Sequence, residues 1–192
     1  MKNKLFVLLF IIGNIPLLSY SQDSQPPTLY NFYLEDGEVV FKQVYEFPSQ
    51  NGGDMRTEIL SFISKVPNVS NVREVGDEIV GDISNLKINY QKYGGTPMST
   101  MVLLSEHMFG KLFIQIKDNK YRIIIKEIYF LSDNPNTVAL HHKLDISPKT
   151  NFTTFVTKDK VTGFRTNKTV IEGVSYINNH LNDLFKYKRD DW

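Results

Sequence analysis

The segment 112–125 most constrains the fold, because one strand register accounts for all of its side chains. If Asp118 and Asn119 form a two-residue hairpin loop, the pairing is determined outward from Lys117 opposite Lys120. Three apolar pairs then share one face: Ile116 with Tyr121, Ile114 with Ile123, and Leu112 with Ile125. The other face receives Gln115 with Arg122 and Phe113 with Ile124. A slip of one residue would mix these faces, so the sequence predicts an antiparallel hairpin whose three apolar pairs point into the core.

Two amphipathic helices are predicted on either side of the central strands. The first begins after Asp54, which can cap it, and ends at about Val66, before Pro67. Its apolar residues follow helical spacing: Met55, Ile59, Phe62, Ile63 and Val66. The second helix covers about residues 170–188, and its apolar stripe consists of Val170, Val174, Ile177, Leu181, Leu184 and Phe185. Thr169 with Glu172 three residues later predicts a capping box at its start.

Other segments give weaker strand signals. In residues 38–47, Val39, Phe41, Tyr45 and Phe47 share one side of a predicted strand, with Lys42 and Glu46 on the other. Residues 75–92 predict two strand segments whose facing changes at Ser84-Asn85, which requires a tight turn or a bulge. Residues 101–109 show no clear period. The segment 133–166 is expected to be irregular, with an edge strand at about 152–157.

These elements predict an α+β fold, an antiparallel β-sheet with two helices packed on one face as a two-layer sandwich. A doubly wound parallel sheet would need helices between the central strands, and the sequence has none there. We expect one domain at 38–192, preceded by a flexible leader at 22–37 and a signal peptide at 1–21.

The N-terminus has the layout of a secretory signal peptide. Lys2 and Lys4 precede an apolar run from Leu5 to Leu18, and Ser19-Tyr20-Ser21 supplies small residues before a cut at Gln22. The run is shorter than the roughly 20 apolar residues of a spanning helix, so we expect cleavage and no membrane span in the mature chain. The chain has no cysteine, which favours a bacterial exported protein, periplasmic or secreted.

Charge argues against a nucleic-acid partner. Without the two signal-peptide lysines, 20 of the 22 basic side chains remain against 21 acidic ones, and the two signs are interspersed. Nucleic-acid binding normally requires a basic face that neutralises phosphates. We therefore expect a protein partner or a homo-oligomer instead.

Three short motifs resemble a known family. They are Gly76-Asp77-Glu78-Ile79-Val80-Gly81, the hairpin from Ile116 to Arg122, and Asp190-Asp191-Trp192. In this order they resemble a domain-of-unknown-function family with a TBP-like fold, found in exported proteins of Gram-negative bacteria. The resemblance covers residues 38–132 and extends more loosely to 192. It implies a curved antiparallel sheet backed by two helices, and no functional residues, because that family has no established activity.

The sequence departs from that family at two positions. Asn119 stands where the family favours glycine in the hairpin loop, and Phe62 stands where it favours tryptophan. Asn tolerates positive φ and Phe is still a large apolar side chain, so we expect neither change to alter the fold.

No catalytic or cofactor motif is present, and we expect no enzyme activity and no cofactor. Cysteine and a G-x-S-x-G nucleophile motif are absent, as are phosphate-binding glycine loops. His141 and His142 could bind a metal with Asp145 only on a loop, and they are expected to be solvated instead. His180 falls on the polar side of its helix.

The remaining polar motifs also have an ordinary structural interpretation. The carboxylates Asp77, Glu78 and Asp82 are expected to form a solvated face of a strand rather than an acid/base or calcium site. Trp192 is expected either to fray with the chain end or to pack back onto the domain as an anchor.

One apolar set suggests an interaction surface. Phe113, Ile124, Ile128 and Phe130 could form an exposed patch on the sheet face away from the helices, unless residues 133–166 cover it. The sequence thus predicts an exported, non-enzymatic module that binds a protein or assembles with itself through its sheet. The alternative is a carrier of small molecules with an apolar pocket between sheet and helices, and a hydrolase is a third possibility.

Overall fold

The structure is a computed structural model that describes residues 27–48, 54–98, 100–134 and 148–188. Its strands are β1 (Thr28–Leu29), β2 (Phe32–Glu35), β3 (Glu38–Glu46), β4 (Val69–Val75), β5 (Glu78–Lys87), β6 (His107–Lys117), β7 (Lys120–Leu131) and β8 (Lys149–Asn151). Its helices are α1 (Met55–Ser64), α2 (Phe152–Val156) and α3 (Lys168–Phe185), with short 3-10 turns at Tyr90–Tyr93, Val102–Ser105 and Asp159–Val161. The strands form one antiparallel sheet in the order β1-β2-β3-β7-β6-β5-β4, with β8 beside β7.

The predicted central hairpin is confirmed. Lys117 pairs with Lys120, and the five pairs beyond it have the predicted register. Asp118 and Asn119 have φ values of 48° and 59°, the two positive values that a type I′ loop requires.

Both long helices pack on the same face of the sheet, as predicted. The apolar stripes of α1 and α3 join the sheet residues Leu112, Ile114 and Ile123 in one core, and Ile116 packs half-buried against it. Two tyrosines of the sheet also reach α3, since the Tyr45 hydroxyl donates to Asn182 and the Tyr121 hydroxyl donates to the Phe185 carbonyl. The predicted α+β arrangement is therefore confirmed.

The two helix starts differ in how well the sequence predicted them. Asp54 caps α1 as predicted, accepting a hydrogen bond from the Arg56 amide at 3.1 Å. The predicted capping box of α3 is wrong, because Asn167 caps the helix and accepts from the Val170 amide at 2.9 Å. An asparagine two residues upstream of Thr169 is the stronger N-cap, so α3 begins at Lys168 and ends at Phe185 rather than 188.

The predicted flexible leader is wrong for residues 28–37. Thr28–Leu29 and Phe32–Glu35 are strands at the edge of the sheet. Phe32 is 0% exposed, and its ring lies 5.3 Å from the rings of both Phe41 and Phe152. Burial of this aromatic ring holds the segment against the core.

The segment 133–166 is more regular than predicted where the structure describes it. Residues 152–157 are not an edge strand, because 152–156 form α2 and the strand is 149–151. Phe152 and Val156 are four residues apart and both buried, a spacing that suits a helix as well as an alternating strand. Residues 135–147 lie outside the described residues.

Residues 69–87 contain one strand that the sequence did not predict and one change of facing that it did predict. Strand β4 was not predicted. The two segments of 75–92 form the single strand β5, whose pairing with β6 shifts between Ile83 and Leu86. Asn85 has a φ of 53° there, so the predicted change of facing is confirmed and, of the two predicted alternatives, the structure has the bulge and not the tight turn.

No helix within the described parts of the chain is long and apolar enough to cross a membrane. The predicted signal peptide and the tail at 190–192 lie outside the described residues.

Candidate interaction surface

The sheet face opposite the helices, here called the outer face, carries a row of cross-strand neighbours. This middle row runs across β3, β7, β6, β5 and β4 and consists of Lys42, Ile124, Phe113, Val80 and Arg73. Ile124 is 8% exposed, while Phe113 and Val80 are half-buried. The row therefore has an apolar centre with a cation at each end.

Polar rows flank the middle row on both sides. The loop-side row, nearer the hairpin loop, consists of Val44, Arg122, Gln115, Glu78 and Val75. The far row consists of Lys126, Lys111, Asp82 and Ser70. In both flanking rows, the acidic side chain lies on β5 and a basic side chain lies two strands away on β7.

Hydrogen bonds hold these flanking side chains in place. Gln115 donates to Glu78 Oε1 at 2.6 Å and accepts from Arg122 Nη1 at 3.4 Å. Lys111 and Asn71 both donate to Asp82, at 2.6 and 2.7 Å. The hydrogen bond from Lys111, followed by that from Asn71, lowers the pKa of Asp82, so this carboxylate is a stable negative charge on the face.

Only half of the predicted patch lies on the outer face. Phe113 and Ile124 do, but Ile128 and Phe130 point into the core and are 3% and 0% exposed. The pairing of β6 with β7 shifts between Phe109 and Lys111, and Glu127 has a φ of 51°. This bulge reverses the facing of every residue beyond it. The sequence contained a signal for this bulge. Ile125 and Ile128 are both apolar, but one has an odd and the other an even number, so a regular strand would place them on opposite faces.

The same bulge places a second aromatic cluster on the outer face, which the sequence did not predict. The rings of Phe109 and Tyr129 stack with centroids 5.1 Å apart and planes 7° apart. Lys149 Nζ lies 3.9 Å from the centroid of the Tyr129 ring. Lys126 Nζ similarly lies 5.9 Å from the Phe113 ring, so cations cover part of the aromatic surface.

In the described part of the segment 133–166, the Lys149 side chain lies over Tyr129 on the outer face, whereas the buried side chains pack on the other side of the sheet. Phe152, Val156 and Phe164 belong to the core on the helix side of the sheet. The Val39 amide donates to Thr153 Oγ1 at 2.9 Å, which ties α2 to β3.

A cavity of about 670 Å³ lies at the hairpin-loop end of the sheet. It is lined by Val44, Asp77, Glu78, Gln115, Ile116, Lys117, Asp118, Lys120, Tyr121 and Arg122. Most of these side chains are charged, and those of Lys117 and Asp118 are largely exposed. The cavity is therefore at the surface, and not between sheet and helices where the predicted carrier would hold its ligand.

The histidines of the described residues make structural contacts. His107 lies 3.1 Å from the Asn85 carbonyl and 2.9 Å from Asp133. His180 is half-buried, and its Nδ1 accepts from the Asn89 amide at 3.3 Å. Within the described ranges, no group of three or more His, Asp or Glu side chains could hold a metal ion. His141, His142 and Asp145 lie outside those ranges.

Two solved structures are similar to this chain. A TBP-like protein from Parabacteroides distasonis ATCC 8503 is 14% identical with a TM-score of 0.44, and the match covers 79% of this chain and 92% of that one. A DUF4468 family protein from Bacteroides ovatus ATCC 8483 is 12% identical with a TM-score of 0.39, covering 79% and 81%. Their descriptions agree with the family that the sequence resembles. The fold assignment itself rests on the observed strands and helices.

No family model matches the sequence, and no curated protein matches it.

Proposed function

We propose that the protein is an exported, non-enzymatic module that binds a protein through the outer face of its sheet. The observation that carries the proposal is the middle row, whose apolar centre lies on the face opposite the helices. An apolar centre with a polar rim is the usual composition of a protein–protein interface. The near balance of charges in the chain gives no support to a nucleic-acid partner.

Export is the second part of the proposal. It is supported by Lys2 and Lys4, the apolar run from Leu5 to Leu18 and the small residues at 19 and 21. Sequencing the N-terminus of the protein recovered from the periplasm or medium should give Gln22 as the first residue. Recovery of an uncleaved chain in the cytoplasm would contradict export.

Site-specific photo-crosslinking tests the interaction surface. A photoreactive residue at position 113 should join the protein to a partner in the native envelope, whereas one at Ser61 on the exposed side of α1 should not. Equal crosslinking from both positions, or a crosslink from 113 to residues 135–147 of the same chain, would contradict the proposed surface.

The alternative function, a carrier of small molecules, is supported by the cavity of about 670 Å³, whose volume suits a small ligand. Native mass spectrometry of the protein from its own envelope would show a bound mass that Val44→Arg removes, if this alternative holds.

A further inference from the structure

We propose that the occupant of the outer face is a second copy of this chain, in a two-fold dimer whose axis runs along β6. This inference rests on the proposed function, because it names the partner of the same surface. A two-fold axis along β6 keeps each row at its own level and reverses the order of strands across it. Strand β5 of one copy then lies over β7 of the other, and β4 lies over β3.

The loop-side row complements itself under this rotation. Glu78 of each copy faces Arg122 of the other, and the two Gln115 side chains meet at the axis. At the ends of the row, Val44 faces Val75. These two valines are 44% and 53% exposed, which makes them large hydrophobic side chains left in water by the single chain.

The other two rows agree with the same axis. In the far row, Asp82 of each copy faces Lys126 of the other. In the middle row, Val80 faces Ile124 and the two Phe113 rings meet at the axis. Aromatic rings and aliphatic side chains thus form an apolar centre in the middle row. In each of the two flanking rows, an acidic side chain of one copy faces a basic side chain of the other.

The alternative two-fold axis, perpendicular to the strands, is electrostatically unfavourable. It would place the loop-side row of one copy over the far row of the other. Strand β5 of one copy would then lie over β5 of the other, and β7 over β7. Glu78 would then face Asp82, and Arg122 would face Lys126. Because like charges oppose each other at every such contact, the charge pattern selects the axis along β6.

The proposed axis also brings cations together, and two of them, Lys111 and Lys42, form ion pairs within their own chain. Lys111 meets Lys111 at the axis, and each is hydrogen-bonded to Asp82 of its own chain. Lys42, which faces Arg73, is paired with Glu35. Sheets that pack face to face are rotated by about 30° and twist apart toward their edges. The outer strands β3 and β4 therefore separate, which moves Lys42 away from Arg73 and also moves Val44 away from Val75, so the contacts of β5, β6 and β7 determine the dimer.

The same rotation keeps the central contacts within reach. Glu78 and Arg122 lie about 4.8 Å across the strands and about 7 Å along them from the central Phe113, so a rotation of about 30° moves them by about 4 Å. The long side chains of Glu78 and Arg122 can follow this shift. The five strands span only about 19 Å, a small interface, so we expect a weak dimer that forms as concentration rises.

Charge reversal tests the pairing directly. In the purified exported protein, Glu78→Arg or Arg122→Glu alone should raise the dimer dissociation constant by about tenfold or more, since two contacts per dimer become repulsive. The double variant Glu78→Arg/Arg122→Glu should return to within about threefold of the original value. The two single variants, mixed, should form a heterodimer, because one chain then presents arginine at both positions and the other presents glutamate at both.

Sedimentation over a range of concentrations and native mass spectrometry of isotope-labelled mixtures supply the measurements. Lys168→Glu, on the exposed side of α3, is the matched control and should leave the dissociation constant unchanged. Unchanged circular dichroism of each variant shows that it is folded.

Three results would overturn the dimer: a chain that stays monomeric at all concentrations, a dimer that the single variants do not weaken, or single variants that fail to pair with each other. If residue 113 nevertheless crosslinks to a different envelope protein, the dimer is wrong and the proposed function stands. If it crosslinks to nothing, both are wrong.

Discussion

At the scale of single residues, Tyr121 joins more parts of the core than its position on a strand suggests. Its hydroxyl donates to the Phe185 carbonyl at 2.8 Å and accepts from the Tyr187 amide at 2.7 Å. Its ring stacks on Tyr45 with centroids 5.0 Å apart. Burial raises the pKa of Tyr121 to about 12, so the phenol stays protonated and keeps the end of α3 on the sheet.

Tyr121→Phe should lower the free energy of unfolding by about 1–3 kcal/mol, because the Phe185 carbonyl and the Tyr187 amide lose a buried partner. Urea unfolding measures this loss. Tyr129→Phe, on the half-buried outer face, is the control and should cost less than about 0.5 kcal/mol. Equal losses would show that the Tyr121 hydroxyl does not hold the helix end.

His180 links α3 to the turn Tyr90–Tyr93 and is expected to make stability depend on pH. Its Nδ1 accepts from the Asn89 amide, which only the unprotonated nitrogen can do. Burial, and then the charge of Lys92, lower the pKa of His180, while Asp183 opposes this. The folded chain therefore binds fewer protons than the unfolded chain once the pH falls below the ordinary value of about 6.5.

Stability from His180 should accordingly be fully present above about pH 6.5 and decline as the pH falls through the lowered pKa. Urea unfolding between about pH 8 and 5 should show a steeper decline for the natural chain than for His180→Asn, whose amide oxygen can still accept from Asn89. Parallel pH profiles of the two proteins would contradict this role.

At the scale of elements, the β6–β7 hairpin shows how a short loop sets a long register. Both loop residues have positive φ, a conformation that costs most residues about 1–2 kcal/mol and glycine little. Because Asp and Asn tolerate it, these two positions hold the register that keeps the apolar pairs together.

Asn119→Val should therefore destabilise the protein by about 1–2 kcal/mol, and Asn119→Gly should leave the stability equal or higher. Thermal unfolding of both variants tests this. The exposed position means that lost packing does not explain a difference between them. If valine were tolerated as well as glycine, the loop would not be under this backbone constraint.

At the scale of the whole molecule, the sheet divides a packed side from an outer side. Ile123 lies in the core and is 0% exposed, and Phe113 lies half-buried on the outer face. The two residues are on neighbouring strands and one position out of register. Their surroundings differ because Ile123 points to the face of the sheet that the helices cover, whereas Phe113 points to the outer face.

Ile123→Ala should reduce the free energy of unfolding by about 2–5 kcal/mol, since it leaves a cavity in the core. Phe113→Ser, measured at low protein concentration, should cost less than about 1 kcal/mol even though it removes a larger side chain. Denaturant unfolding of both gives the comparison. A larger cost for Phe113→Ser would mean that the outer face is part of a second core.

Local patterns in the sequence were sufficient for the hairpin register, the two long helices, the cap at Asp54 and the change of facing near Asn85. In each case the determining interactions lie within a few residues, or are repeated along paired strands. Backbone geometry and side-chain periodicity then leave one arrangement that buries the apolar side chains. The antiparallel sheet with both helices on one face follows from these elements.

Tertiary contacts decided the rest. Phe32 and α2 are held by partners far away in the chain, as with Val39 and Thr153, which are 114 positions apart. The bulge at Glu127 turned Ile128 and Phe130 into the core and left Phe113 and Ile124 outside, although all four have the same apolar character. Periodicity records which residues are apolar, but only the packed chain determines which side of the sheet each of them faces.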